Sequence, residues 1–298
     1  MNDTRGDGAT VAGSGSVSEK SGLRDLLSQL TVTAAVALVV LIVFILVVVF
    51  APWVAPYAED AILTDESFAL SSKEMLLGSD FLGRDVLSRL LYGARVTLSV
   101  AFVIALSAFI IGCSFGFLAA VKQGMWDSVL SRIVDVLISF PAIMVALIVI
   151  SGLGSSIPVL IVTVALIDAT RVFRVARALG MDIVVQDYIE AARVRGEKMG
   201  WIIWHELLPN ALAPLAAEFG IRFTYAILFI SALSFLGLGV QPPQADLGVM
   251  VKENMQGLLY ETYTPLYPAL CIALVTLSVN LLVDWFLKTT DAALPEEL

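Results

Sequence analysis

The sequence predicts an all-α integral membrane protein with six transmembrane helices and both termini in the cytoplasm. Three observations predict it: too many apolar residues for a water-exposed surface, a series of apolar runs of bilayer length, and a lopsided distribution of Lys and Arg between those runs. Of 298 residues, 58% are hydrophobic and only 15% charged, with a mean hydropathy of +0.89. A soluble domain of this length needs more polar surface. The net charge of −9 argues against nucleic acid as a partner, which would need a basic face. Cys113 and Cys271 both lie inside apolar runs, where a thiol acts as a small buried hydrophobe, so no disulfide framework is expected.

Residues 1–30 are rich in Gly, Ser, Thr and Asp and lack hydrophobic periodicity, which predicts a disordered cytoplasmic tail with a short amphipathic stretch over 23–30. The run 31–50 carries no charge, and its 20 residues at ~1.5 Å each span about one hydrocarbon core. It is too long, and begins too far from residue 1, for a cleaved signal peptide. A retained first transmembrane helix is therefore expected over 31–53, ended by Pro52, Trp53 and Pro56 at the interface, with an outer loop over 54–96. Five further apolar runs, 97–121, 129–152, 157–180, 211–236 and 266–287, form a core over 97–287, followed by a cytoplasmic tail over 288–298. The fourth is the least clean, because Asp168, Arg171, Arg174 and Arg177 crowd its second half.

Basic residues set the orientation. With the N-terminus inside, Arg5, Lys20, Arg24, Lys122, Arg132, Arg171, Arg174, Arg177, Arg193, Arg195, Lys198 and Lys288 are cytoplasmic, making 12. Lys73, Arg84, Arg89, Arg95 and Lys252 are then outside, making 5, and the first outer loop holds seven acids. In the second run Gly112, Gly116 and Ala120 fall at intervals of four. They read either as a face for close helix approach or as the ordinary tolerance of Gly in membrane helices. No repeat and no inverted halves are visible.

The segment 181–210 is polar enough to leave the bilayer and too patterned to be disordered. Good helix formers predict a helix over 187–195. Ala191 and Ala192 offer a face against which another backbone can pack, and Gly196 permits a turn with positive φ. A second amphipathic piece over 199–207 should be closed by Leu208-Pro209, where Pro209 can begin the next helix. Glu190-Ala191-Ala192, Gly196 and Leu208-Pro209 at this spacing resemble the "EAA" loop of permease subunits of bacterial ABC-type importers. Glu206 stands where that pattern often has Ile or His. Gly78-Ser79-Asp80-Phe81-Leu82-Gly83-Arg84-Asp85, continuing to Tyr92-Gly93-Ala94-Arg95, resembles the outer-loop signature of the dipeptide/oligopeptide/nickel branch in its "C"-type subunit. Asp135 to Phe140-Pro141, and the run from Phe235 to Pro243, fit the same branch. The likeness covers about residues 30–287; the acidic C-terminal tail departs from it.

That resemblance implies a type I ABC importer permease fold and a function in peptide import. The elements of 187–209 would dock on one or two cytoplasmic ATPase subunits, with Glu190, Ala191, Ala192, Gly196, Leu208 and Pro209 as coupling residues. Glu190 is expected to make a hydrogen bond or salt bridge that positions the coupling helix. The implied partners are a homologous "B"-type permease in a heterodimer, an extracytoplasmic substrate-binding protein and the lipid bilayer. No cofactor is expected on this chain, and ATP and Mg belong to the ATPase. The sequence lacks G-x-x-x-x-G-K-[ST], so it cannot hydrolyse ATP alone. No catalytic residues are expected and no metal, since one histidine, His205, without nearby Cys is a poor zinc site.

Glu218 and Arg222, four apart in the fifth run, can neutralise one another, and they are also the candidates for the translocation path. Asp135, Asp168, Arg171 and Arg174 read as local pairs or interfacial anchors. Gly78, Asp80, Gly83, Arg84 and Asp85 read as an ordered outer element with Arg84 and Asp85 hydrogen-bonded. The alternative function is an ion-coupled secondary transporter, which would be expected to show mid-membrane ionisable groups and paired broken helices.

Overall fold

The computed structural model describes residues 30–291. The tails expected over 1–30 and 288–298 therefore lie outside the described residues, apart from residue 30 and the four residues 288–291, which continue the last helix. All described regular structure is helical. Four helices are long and apolar enough to cross a bilayer, and a fifth crossing results if one sharply bent pair counts as a single span.

Helix α1 (Val32–Val54) is almost wholly apolar, and the Thr31 side chain caps it by accepting from the Ala34 N–H. Helix α2 (Val86–Lys122) is 37 residues long and begins eleven residues before the apolar run, inside the expected outer loop. Hydropathy hides this start behind Arg89 and Arg95. What fixes it is the Asp85 carboxylate, which accepts from the Ser88 N–H at 2.8 Å and the Ser88 hydroxyl at 2.6 Å.

The continuous third span expected over 129–152 is not one helix. It divides into α3 (Gly124–Ser139) and α4 (Ala142–Leu153), which meet at 85°. Phe140, with φ −88° and ψ 141°, is extended because the following Pro141 crowds the helical conformation at its neighbour and has no N–H to donate.

Helix α5 (Ile157–Val184) is long enough to cross, but its charges keep it outside the apolar set. Its packing shows how it runs. A Cβ on Gly112 would meet Val172 Cβ at 2.6 Å, one on Gly116 would meet Ala176 Cβ at 2.8 Å, and one on Gly180 would meet Ala120 Cβ at 2.7 Å. Each contact has the same offset of sixty residues. That constant offset is the register of two parallel helices, so the small-residue stripe of α2 is a close-approach face, answered by Val172, Ala176 and Gly180.

Helix α6 (Asp187–Val194), α7 (Met199–Ile202), a π-helical turn (Ile203–Leu207) and α8 (Leu208–Phe235) follow. Short α9 (Leu247–Glu253), a 3₁₀ segment (Met255–Tyr260) and α10 (Leu266–Asp291) complete the chain. The main core joins Leu98, Ala101 and Ile104 of α2 to Leu160 and Val164 of α5 and Ile227 and Ile230 of α8. Leu41, Phe44 and Val48 of α1 pack on that cluster from outside.

Candidate functional site

Two loop systems close the two ends of this bundle, and a few charges lie between them. At one end α6 ends at Gly196, whose φ of +83° suits only glycine comfortably. Its N–H donates to the Arg193 carbonyl at 2.9 Å, and the Glu197 N–H reaches back to the Ala192 carbonyl at 3.2 Å, closing the turn.

The separate second helix expected to close at Leu208-Pro209 is instead continuous with α8. Pro209 has no N–H, so the usual ladder cannot run through it. The bonding widens over Ile203–Leu207, where the Leu208 N–H donates to the Ile203 carbonyl, and the Asn210 side chain donates to the Glu206 carbonyl at 2.6 Å. The result is a short helix hinged at Gly196 to the foot of a long membrane helix.

The structure also divides the expected Ala191–Ala192 face. Ala192 is fully buried within this chain, against Ile189, Ile202 and Leu207, whereas Ala191 points to solvent. Glu190 is exposed and its side chain makes no hydrogen bond or ion pair among the described residues, so the positioning bond expected for it is not formed there. Instead it lines a groove of about 560 Å³ with Gln123, Val184, Val185, Gln186, Arg193 and Val194. In that groove Val185 and Val194 stand 74% and 84% exposed, and on the far side of the elbow's turn Trp204 is 68% exposed. Burial and the nearby Glu206 carboxylate push the Tyr188 phenol above its ordinary range, so Glu206 bears on α6 across the elbow.

Between the two ends, Arg222 Nε donates to Glu218 Oε1 at 2.7 Å and the guanidinium lies 5.0 Å from the Tyr225 ring. Asp168 of α5 is 3% exposed and accepts from Arg171 Nη1 at 3.1 Å. Towards the elbow, Arg174 pairs with Asp135 at 2.8 Å, and Arg177 grips Asp127 through two bonds that tie α5 to α3. The charges that crowd the fourth apolar run are thus paired locally.

At the opposite end the outer-loop signature folds into a closed polar ring. Asp80 is fully buried, and its Oδ2 lies 2.7 Å from Arg84 Nε and 3.3 Å from Arg89 Nε. Both arginines also reach Glu253 Oε2, at 3.2 and 3.3 Å. Asp80 Oδ1 accepts from the Leu82 and Arg84 N–H groups, each at 2.9 Å. Gly78 and Gly83 have φ of +76° and +77°, and a Cβ on Gly83 would fall 1.8 Å from the Thr64 carbonyl oxygen.

Sequence reasoning missed the other half of this end. The Phe81 N–H donates to Asn254 Oδ1, and the Ala245 N–H donates to Glu59 Oε2 at 2.7 Å. Buried Asp246 caps α9 through the Gly248 and Val249 N–H groups and accepts from the Thr97 hydroxyl at 2.7 Å. Burial pushes the Asp246 carboxyl above its usual range, against the Thr97 and backbone bonds that pull it down. An Asp two residues before a Gly at the start of a short helix was a readable cap signal; its partner Thr97, 149 residues away, was not.

The chain's relatives fit this arrangement. A family model described as "Binding-protein-dependent transport system inner membrane component" matches residues 112–294. The chain belongs to that family. It is a multi-pass component of the inner membrane. A second model, "N-terminal TM domain of oligopeptide transport permease C", matches residues 32–70. The dipeptide transport system permease protein DppC of Alkalihalophilus pseudofirmus is 36% identical over 263 residues, covering 87% of this chain and 85% of that protein. The glutathione transport system permease protein GsiD of Escherichia coli is 36% identical over 264 residues, covering 88% and 86%. A putative peptide transport system permease protein of Brucella suis is 34% identical, covering 88% of each. Among solved structures, a chain of an amino acid ABC transporter aligns with a TM-score of 0.49 at 20% identity, over 70% of this chain and 95% of that one.

Proposed function

We propose that this chain is the C-type permease half of an ATP-driven importer of peptides or peptide-like solutes. It pairs with a homologous B-type permease, receives solute from an extracytoplasmic binding protein, and is moved by one or two cytoplasmic ATPase subunits that hold ATP and Mg. The single observation that carries this reading is the elbow of α6 and α7. Its inner face is packed into the chain while the side chains of Glu190, Ala191, Val194 and Trp204 stay exposed among the described residues, as a docking surface should be. The relatives supply the solute class, since those named above are permeases of dipeptide, peptide and glutathione systems.

The topology proposed with it has six crossings, N-in and C-in. The parallel register of α2 and α5 supports it, because two parallel helices need an odd number of crossings between them, here the bent α3–α4 pair. Contacts from the 55–85 loop to Ala245, Glu253 and Asn254 support it too, because they bring both proposed outer loops to one end. Glu218 and Arg222 remain the proposed path residues, now with Asp168 beside them.

Co-expression with the adjacent permease and ATPase genes, followed by affinity purification through this chain, tests the proposal. The expected result is one complex whose peptide uptake in proteoliposomes requires ATP. Uptake by this chain alone, driven by an ion gradient, would establish the secondary-transporter alternative.

A further inference from the structure

Between the end of α3, α4 and α5, around the bend at Pro141, lies a cavity of about 660 Å³. Its wall along α5 runs from Pro158 through Val162 and Leu166 to Arg171. Those 14 residues, 13 steps of ~1.5 Å, rise about 20 Å, a little more than one leaflet of a ~30 Å hydrocarbon core. The wall is apolar throughout apart from Thr163 and Thr170, and Arg171 closes one end.

The depth of that end can be read from α1, whose uncharged length marks the bilayer. The Tyr57 N–H donates to Ser88 Oγ, so the chain just past the end of α1 lies beside the start of α2. Leu41, Phe44 and Val48 pack on the cluster that holds Leu98, Ala101 and Ile104, so the two helices run back along one another. Counting back along both helices places Thr31, the cytoplasmic start of α1, near Ser114 of α2. The sixty-residue offset then places it near Arg174 of α5. Arg174 thus sits at the headgroup level, and Arg171 lies one turn inside it. Among the described residues Arg171 bonds only to Asp168, through Nη1, and 43% of its side chain is exposed. Three of its N–H donors, on Nη2 and Nε, therefore have no partner among the described residues, and Arg171 lines the groove. Arg174, paired with exposed Asp135, stands beside it.

We propose that this groove is a binding site for an anionic phospholipid of the cytoplasmic leaflet. One acyl chain would lie along α5 from Arg171 towards Pro158, and the phosphate would be held by the free donors of Arg171. The argument is complementarity of both length and charge. An apolar trough of one leaflet's length, ending in an incompletely bonded guanidinium at headgroup depth, matches a lipid chain and its phosphate. The proposed orientation enters only in the choice of leaflet.

Native mass spectrometry of the purified full chain, titrated with phosphatidylglycerol or with phosphatidylcholine of the same chains, tests this. One phosphatidylglycerol should bind at least tenfold more tightly than phosphatidylcholine. Arg171→Gln should abolish the tenfold preference, and Leu166→Trp, which fills the trough at an exposed position, should abolish the bound lipid altogether. Leu166→Trp keeps the test open should loss of the partner of Asp168 impair folding of the first variant. Equal binding of the two lipids, or wild-type binding by Leu166→Trp, would overturn the proposal. Displacement of the lipid by a dipeptide would also overturn it and make the groove part of the solute path; loss of the lipid when the partner permease is co-expressed would make it a subunit interface.

Discussion

The outer and inner ends of the bundle are built in opposite ways. At the outer end, 55–97 and 237–265 are tied together: two arginines and two acids close a buried ring, and Asp246 meets Thr97 inside. At the inner end the elbow is anchored by Ile189, Ala192, Ile202 and Leu207, while its remaining surface is left open. The first is a finished structure, and its polar groups contribute order within the chain. The second has a face that none of the described residues covers. On this difference rests our proposal that the outer end supplies stability and the inner end coupling, and both halves of it can be broken experimentally.

The largest loss of stability should come from the ring. Removing one partner of a buried ion pair strands the other, at a cost of about 3–5 kcal/mol. Asp80→Ala should therefore lower the detergent unfolding midpoint sharply, because Asp80 serves Arg84 and Arg89 at once. An unchanged midpoint would mean the ring is not what holds the outer end.

Next comes the helix pair that joins the two ends. A Cβ at Gly116 would already sit 2.8 Å from both Ala176 Cβ and the Phe173 carbonyl, so Gly116→Val should cost roughly 1–3 kcal/mol by overpacking. Ser114→Val, on an exposed position of the same helix, should leave the unfolding midpoint nearly unmoved.

A smaller effect should appear as pH dependence. Burial raises the Asp246 carboxyl, so the folded chain holds that proton to higher pH than the unfolded chain does. The folded state therefore binds more protons in the interval above the ordinary carboxylate range of about 4, and the contribution of this group to stability falls as pH rises through it. The stability difference between wild type and Asp246→Asn should shrink as pH is raised from about 4. A difference that grows with pH would show that the Thr97 and backbone bonds outweigh burial.

The smallest change in stability should come from the elbow, and there the functional effect should be greatest. Glu190→Lys touches an exposed side chain with no partner among the described residues, so stability should stay within about 0.5 kcal/mol. ATP-driven uptake by the assembled transporter should nevertheless be lost. Gly196→Pro, which forbids φ of +83°, should do the same while membrane insertion is kept. Wild-type uptake in both variants would remove coupling from this end.

The sequence by itself determined the membrane class, the first helix, the short helix before Gly196 and the stripe of Gly112, Gly116 and Ala120. Each is a local pattern of hydrophobicity, helix propensity or side-chain size, and such patterns are set by neighbours a turn or two away. The bend at Phe140-Pro141 was also local: the proline signal was there, but an unbroken apolar run outweighed it in a reading by hydropathy.

Only the tertiary structure decided which residue answers each of these. Val172, Ala176 and Gly180 meet the small stripe; Glu253 and Asn254 complete an outer signature more than 160 residues earlier; Ala192 turns inwards while Ala191 turns out. Those choices depend on contacts between distant segments, where burial and charge pairing are settled only after the helices have packed.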